Sequence, residues 1–263
     1  MLTHASTNRL YFTSLLPATS QFRSKIIGGK GVTINDFNWM AAVVQKSSPS
    51  TLVCGAIFLK NRWLLSAAHC FRYQGSYIVR IGVRRLHDNS LKQDMYNISK
   101  IIVHPLYKRK EDGDDLALIK VDRKIKEYNL VSPIPELDNG QFTWSSDSPC
   151  AVAGWGNTKE KESLNMYMPL QEVNVPIVNI HTCRSKYASI GVNITWNMMC
   201  AGKPGQEVCV GDSGGSLVCN RGSNWYLVGV VSFGRRCGVT GFPSVYTKVS
   251  NYRKFIDDTI RRY

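Results

Sequence analysis

Leu64-Leu65-Ser66-Ala67-Ala68-His69-Cys70 is the stretch on which the reading of this chain turns. It runs a short apolar strand into small residues, which leave room around an imidazole, and then sets a histidine beside a cysteine. Outward from it, brief apolar runs alternate with polar or Gly/Pro turns: 40–45, 52–59, 62–66, 77–82, 98–103, 116–121, 150–154, 225–233 and 244–249. Many short strands with little helical periodicity read as an all-β barrel or sandwich. Helix is expected mainly at the end. There Tyr252, Phe255, Ile256, Ile260 and Tyr263 recur at helical spacing, opposite Arg253, Lys254, Asp257 and Asp258.

The chain has 263 residues, 43% of them hydrophobic, which is enough to bury a sizeable core in one large domain or two small ones. Its longest strongly apolar run, Trp225 to Phe233, is about half of the ~20 residues a membrane-spanning helix needs. A formal net charge of +14 draws such a protein to polyanions. The basic residues are scattered, however, and form no helix-turn-helix, zinc-finger or RNA-recognition signature, so nucleic acid is not expected as a partner. Eight cysteines at wide spacing, with no C-x-x-C pair, suggest disulfides and an oxidising compartment. Two sequons, Asn97-Ile98-Ser99 and Asn193-Ile194-Thr195, agree with secretion and mark candidate glycosylation sites. Residues 1–25 match a secretory signal poorly, because Thr13, Ser14 and Pro17 interrupt the apolar stretch; a weak signal, a pro-segment and a fragment of a longer chain all remain open.

Two further local patterns accompany His69. Asp114-Asp115-Leu116-Ala117-Leu118-Ile119 carries an acid straight into an apolar strand, which is costly unless the carboxylate has buried partners. Gly211-Asp212-Ser213-Gly214-Gly215 sets a serine among glycines, where tight backbone conformations and close approach of a substrate are accessible. The order His, Asp, Ser in these contexts, in an all-β chain with paired cysteines, resembles the trypsin/chymotrypsin family of serine proteases from Ile26 to the C-terminus.

That resemblance implies two six-stranded antiparallel β-barrels with a C-terminal helix, in a protease domain of residues 26–263 preceded by a pro-segment of residues 1–25. It implies a serine endopeptidase with Ser213 as nucleophile, His69 as general base and Asp115 as the buried acid that orients the imidazole. Asp115 is chosen over Asp114 because the family's acid stands immediately before the Leu-Ala-Leu strand. The backbone N–H groups of Gly211 and Ser213 are expected to form the oxyanion hole. Ser24-Lys25-Ile26-Ile27-Gly28-Gly29 looks like the family's activation site, so cleavage after Lys25 would free an Ile26 amine to pair with Asp212. The family positions also imply disulfides Cys54 with Cys70, Cys150 with Cys219, Cys183 with Cys200, and Cys209 with Cys237. Implied partners are a protein or peptide substrate, an activating protease, protease inhibitors and a heparin-like polyanion, in a secreted or extracellular setting, membrane-tethered if the chain extends further at its N-terminus.

Departures from the family concentrate at the specificity pocket. Its floor, six positions before the serine, is Glu207 where trypsin-like members have Asp. An acidic floor favours Lys or Arg in the substrate, although Glu takes up more depth. Val208 stands in place of a hydroxyl residue, Ser244 in place of glycine, and Val210 makes the rim apolar, while Ser232, Phe233 and Gly234 complete the expected binding wall. If Glu207 instead turns to Ser244, the pocket is smaller and takes uncharged side chains. Ser216 and Asn38 replace common prolines. The segment 83–96, where some members hold calcium, has only Asp88 and Asp94 against four basic residues, so neither metal nor cofactor is expected. The alternative reading is a weakly catalytic homologue that binds polyanions or proteins.

Overall fold

The computed structural model describes residues 30–31, 36–88, 95–157, 167, 169–204, 208–209, 211–235 and 241–263. The expectations placed on residues 1–25, Lys25, Ile26, Glu207, Val210 and Cys237 lie outside them.

A two-residue strand, β1 (Lys30–Gly31), precedes the first barrel. That barrel comprises β2 (Met40–Gln45), β3 (Ser48–Lys60), β4 (Trp63–Ser66), β5 (Tyr77–Ile81), β6 (Met95–Val103) and β7 (Ala117–Val121). It closes in the order β2-β3-β4-β7-β6-β5 with every pairing antiparallel. The apolar runs read from sequence supply its wall, and Val43, Ile57, Leu64, Leu65, Ile81 and Leu118 fill the interior at zero exposure. Closure leaves no free edge among the described strands of this barrel.

The second half contains β8 (Glu136–Leu137), β9 (Cys150–Gly154), β10 (Gln171–Asn174), β11 (Ile177–Val178), helix α1 (Ile180–Ala188), β12 (Met198–Ala201), β13 (Ser216–Arg221), β14 (Asn224–Phe233), β15 (Ser244–Lys248) and helix α2 (Arg253–Arg262). Its strands form a curled half-barrel in the order β1-β10-β9-β13-β14-β15-β12-β11, with β8 paired parallel to β14. Helix α2 is the helix expected at the end, and Tyr252, Ile256 and Thr259 are buried there, whereas Tyr263 is exposed because the helix has run past the core. Helix α1 was not expected from the sequence. Asn179 caps it, accepting from the His181 N–H at 2.9 Å, and it buries only Cys183 and Tyr187.

One apolar cluster joins the halves: barrel residues such as Met40 and Phe58 share it with Trp155, Val218, Leu227, Val230, Tyr252 and Ile256. Three expected disulfides are present, Cys54–Cys70, Cys150–Cys219 and Cys183–Cys200. Cys209 is also disulfide-bonded, and Cys237, the partner expected for it, is not among the described residues. Each of the three bridges lies within one half, so none of them ties the halves together; each contributes typically ~2–4 kcal/mol by restricting the unfolded chain. No helix among the described residues is long and apolar enough to cross a membrane.

Candidate active site

Strand β4 ends at Ser66, and the chain turns at once into a short 3-10 segment, Ala68–Phe71, which carries His69 at the junction between the halves. Asp115 enters from the loop before β7 and is 1% exposed. Its two oxygens are fully engaged: Oδ1 accepts from the His69 backbone N–H at 2.8 Å, while Oδ2 lies 2.7 Å from His69 Nδ1 and accepts from the Ser232 hydroxyl at 2.5 Å. An ionised carboxylate can only accept, so the tautomer that suits this contact carries its proton on Nδ1 and leaves Nε2 as an acceptor. The Thr247 hydroxyl holds the Asp115 carbonyl at 2.9 Å, so β14 and β15 of the second half both fix this acid.

The serine-bearing turn is fastened to the same place through its backbone. Gly55 of β3 donates to the Ser213 carbonyl at 2.7 Å, and the Gly55 carbonyl accepts from Ser66 Oγ at 2.7 Å. Gly214, at φ +79°, lies so close that a Cβ there would sit 2.3 Å from the Gly55 oxygen and 2.4 Å from Ser66 Oγ. Only glycine serves at that position. The amides of Asp212, Gly214 and Gly215 are bonded within the turn or to Val231, whereas those of Gly211 and Ser213 make no backbone hydrogen bond among the described residues. Among the described residues no hydrogen bond joins the Ser213 hydroxyl to the imidazole; the serine turn is fastened through its backbone to Gly55, which Ser66, three residues before His69, also holds.

Asp212 faces inward. Its carboxylate accepts from the amides of Gly156 and Cys209, both at 2.9 Å, and a Cβ on Gly154 or Gly156 would strike it. Burial pushes this acid up to about 6, against the opposing pull of the two N–H groups. Among the described residues it has no cationic partner.

Around the expected pocket, Ser244 is buried and its hydroxyl accepts from the Val208 N–H at 3.3 Å. A Cβ on Gly234 would lie 3.8 Å from that hydroxyl, which sets these two positions face to face. Phe233 is 8% exposed and packs edge-on against Tyr187 of α1, at 5.9 Å between rings. Ser232 stands at a register shift between Val231 and Phe233, within the ladder that β14 forms with β15. Its hydroxyl donates to Asp115. Sequence reading placed Ser232 in the binding wall and missed its bond to the acid. The available signal was a lone hydroxyl within an otherwise apolar buried run, Leu227 to Phe233.

Of the two sequons, Asn97 lies in β6 with its amide donating to Asp122 at 2.9 Å, and Asn193 is exposed in the loop after α1. Cys54, His69 and Cys70 stand within metal-ligand reach of one another, but both sulfurs are consumed by their disulfide, which leaves a single nitrogen.

Comparison with known protein families matches residues 26–256 to the trypsin family model. Among curated proteins, a tryptase of Mus musculus is 33% identical over 252 residues, covering 91% of this chain and 90% of the tryptase.

Proposed function

Because this chain belongs to the trypsin family of serine proteases, we propose that it is a secreted serine endopeptidase in which Ser213, His69 and Asp115 act as the triad. The observation that carries the reading is the Asp115 carboxylate held by His69 Nδ1, the His69 amide and Ser232, with the Ser213 turn fastened alongside through Gly55.

In the family's mechanism, which this reading adopts, Ser213 Oγ attacks the scissile carbonyl carbon while His69 Nε2 takes its proton. The C–N bond then breaks as the same proton passes to the leaving amine, and water, activated by His69, hydrolyses the acyl-enzyme. Gly211 and Ser213, whose amides are free of backbone partners among the described residues, would donate to the oxyanion. A neutral imidazole with Nδ1–H directed at Asp115 is the tautomer that this requires.

Activation follows from Asp212. A buried carboxylate is tolerated best beside a cation, and the amine released by cleavage between Lys25 and Ile26 would supply one. Glu207 would be the acidic pocket floor and select Lys or Arg. Peptide or protein substrates, an activating protease and protease inhibitors are the partners this activity entails, and glycans at Asn97 or Asn193 suit a secreted chain.

The test is cleavage of a peptide library varied at the residue before the scissile bond, using protein cut at Lys25–Ile26, with Ser213→Ala as the blank. Cleavage after Lys or Arg is expected, together with fluorophosphonate labelling that the Ala variant lacks. Cleavage after small or aliphatic residues alone would overturn the basic preference and leave the protease. Neither cleavage nor labelling, with Ile26 exposed, would overturn the enzyme.

A further inference from the structure

Asp114, the acid that the triad does not use, occupies an unusual position. Its φ is +54°, a left-handed conformation that Asp tolerates better than most side chains but that still requires support from its surroundings. The support comes from the other half of the molecule. Asp114 Oδ1 accepts from Tyr252 Oη at 2.8 Å and from Asn197 Nδ2 at 3.0 Å, and His104 Nδ1 stands 3.8 Å away.

Both donors are themselves anchored. Asn197 is 5% exposed; its carbonyl accepts from the Lys248 amide at 3.0 Å and its side-chain oxygen from the Thr195 hydroxyl. Tyr252 is 4% exposed and lies edge-on to the His104 ring. Burial, reinforced by the bond to Asp114, raises the Tyr252 phenol above its ordinary range, so it remains a donor throughout the working pH range. Gly113, at φ +97°, permits the close approach, since a Cβ there would meet Asn197 at 2.8 Å.

We infer that Asp114 is a positioning residue: its carboxylate, tied to Tyr252 and Asn197 across the junction between the halves, sets the backbone twist that delivers Asp115 to His69 and Ser232. The two acids are consecutive, so a rotation at Asp114 swings the Asp115 side chain directly. The bond of Thr247 to the Asp115 carbonyl fastens the other side of the same peptide segment. The anchor acts through hydrogen bonds and not through charge, because the acceptor oxygen is what both donors address. This inference rests on the triad proposed above.

The experiment compares Asp114→Asn, Asp114→Gly, Tyr252→Phe and Asp115→Asn in the full, activated protein, with active sites counted by fluorophosphonate and folding followed by thermal unfolding. Asparagine keeps the acceptor and the left-handed preference, so kcat should stay within about twofold of the parent. Glycine keeps the backbone conformation and loses the anchor, and Tyr252→Phe removes one donor. Each should lower kcat roughly 5- to 20-fold with KM within about twofold, because the orientation of a reacting group suffers and substrate contacts do not. Wild-type kcat in folded glycine and phenylalanine variants overturns the inference, as does an asparagine variant that falls as far as glycine. Should the glycine variant not fold, Tyr252→Phe decides alone. Asp115→Asn should lose activity by orders of magnitude; if it does not, the triad fails and this inference with it, whereas its loss beside wild-type rates in the other two variants sinks the inference alone.

Discussion

Asp115 spreads three hydrogen bonds over two oxygens, and each donor has a different consequence. The His69 amide fixes where the acid sits, Nδ1 fixes the tautomer, and Ser232 neutralises part of the charge in a site closed to water. Removing Ser232's hydroxyl should therefore affect orientation and not substrate affinity. Ser232→Ala is expected to lower kcat about tenfold with KM nearly unchanged, as measured by steady-state kinetics on the activated protein. A rise in KM with kcat intact would restore the hydroxyl to the binding wall where the sequence had placed it. His69, Asp115 and Ser213 could be proposed from sequence because their three local contexts together resemble those of the family. The Ser232 bond could not, since 117 residues separate the partners and only the fold brings them together.

Among the elements, β13 shows what the sequence registered only as a missing proline. Ser216, its first residue, is fully buried, and its hydroxyl accepts from the Trp39 indole N–H at 3.1 Å while lying 3.3 Å from Met40 Sδ. A bond between the start of β13 and the segment entering β2 holds the serine turn against the first barrel, three residues from Ser213. Ser216→Ala leaves a buried indole N–H without its acceptor and should cost about 1–3 kcal/mol, read as a lowered urea midpoint at unchanged slope. The strands that form the first barrel were nearly all visible as apolar runs. Missed in the second half were β13, which the sequence reading passed over, and shorter strands that depart from β-propensity: β12 is Met-Met-Cys-Ala, and β10 is Gln-Glu-Val-Asn. Helix α1 buries two residues four apart, too narrow a stripe to announce itself in the sequence.

For the molecule as a whole, Asp212 connects the burial of one acid to the behaviour of the uncut chain. An unfolded aspartate loses its proton near 3.8, while the folded group holds it to about 6, so between these values the folded state binds more protons and stability falls as pH rises. The loss amounts to about 3 kcal/mol by pH 7. Uncut Ser213→Ala protein should accordingly drop in Tm relative to its Asp212→Asn counterpart as pH rises from 4.5 to 7.5. After cleavage at Lys25 the order should reverse, because an Ile26 ammonium would stabilise the ionised acid. Equal profiles in both forms would sink the activation reading. By itself the sequence determined the all-β class, through local alternation and turn spacing, while the candidate His, Asp and Ser positions and the cysteine pairing came from resemblance to the family. Tertiary structure alone decided that Ser232 and Thr247 hold Asp115, and that Asp114 reaches across to Tyr252 and Asn197. Those bonds join residues from opposite halves, and such partners are chosen by how a closed barrel and a curled sheet pack around a shared core, a property that no window of sequence contains.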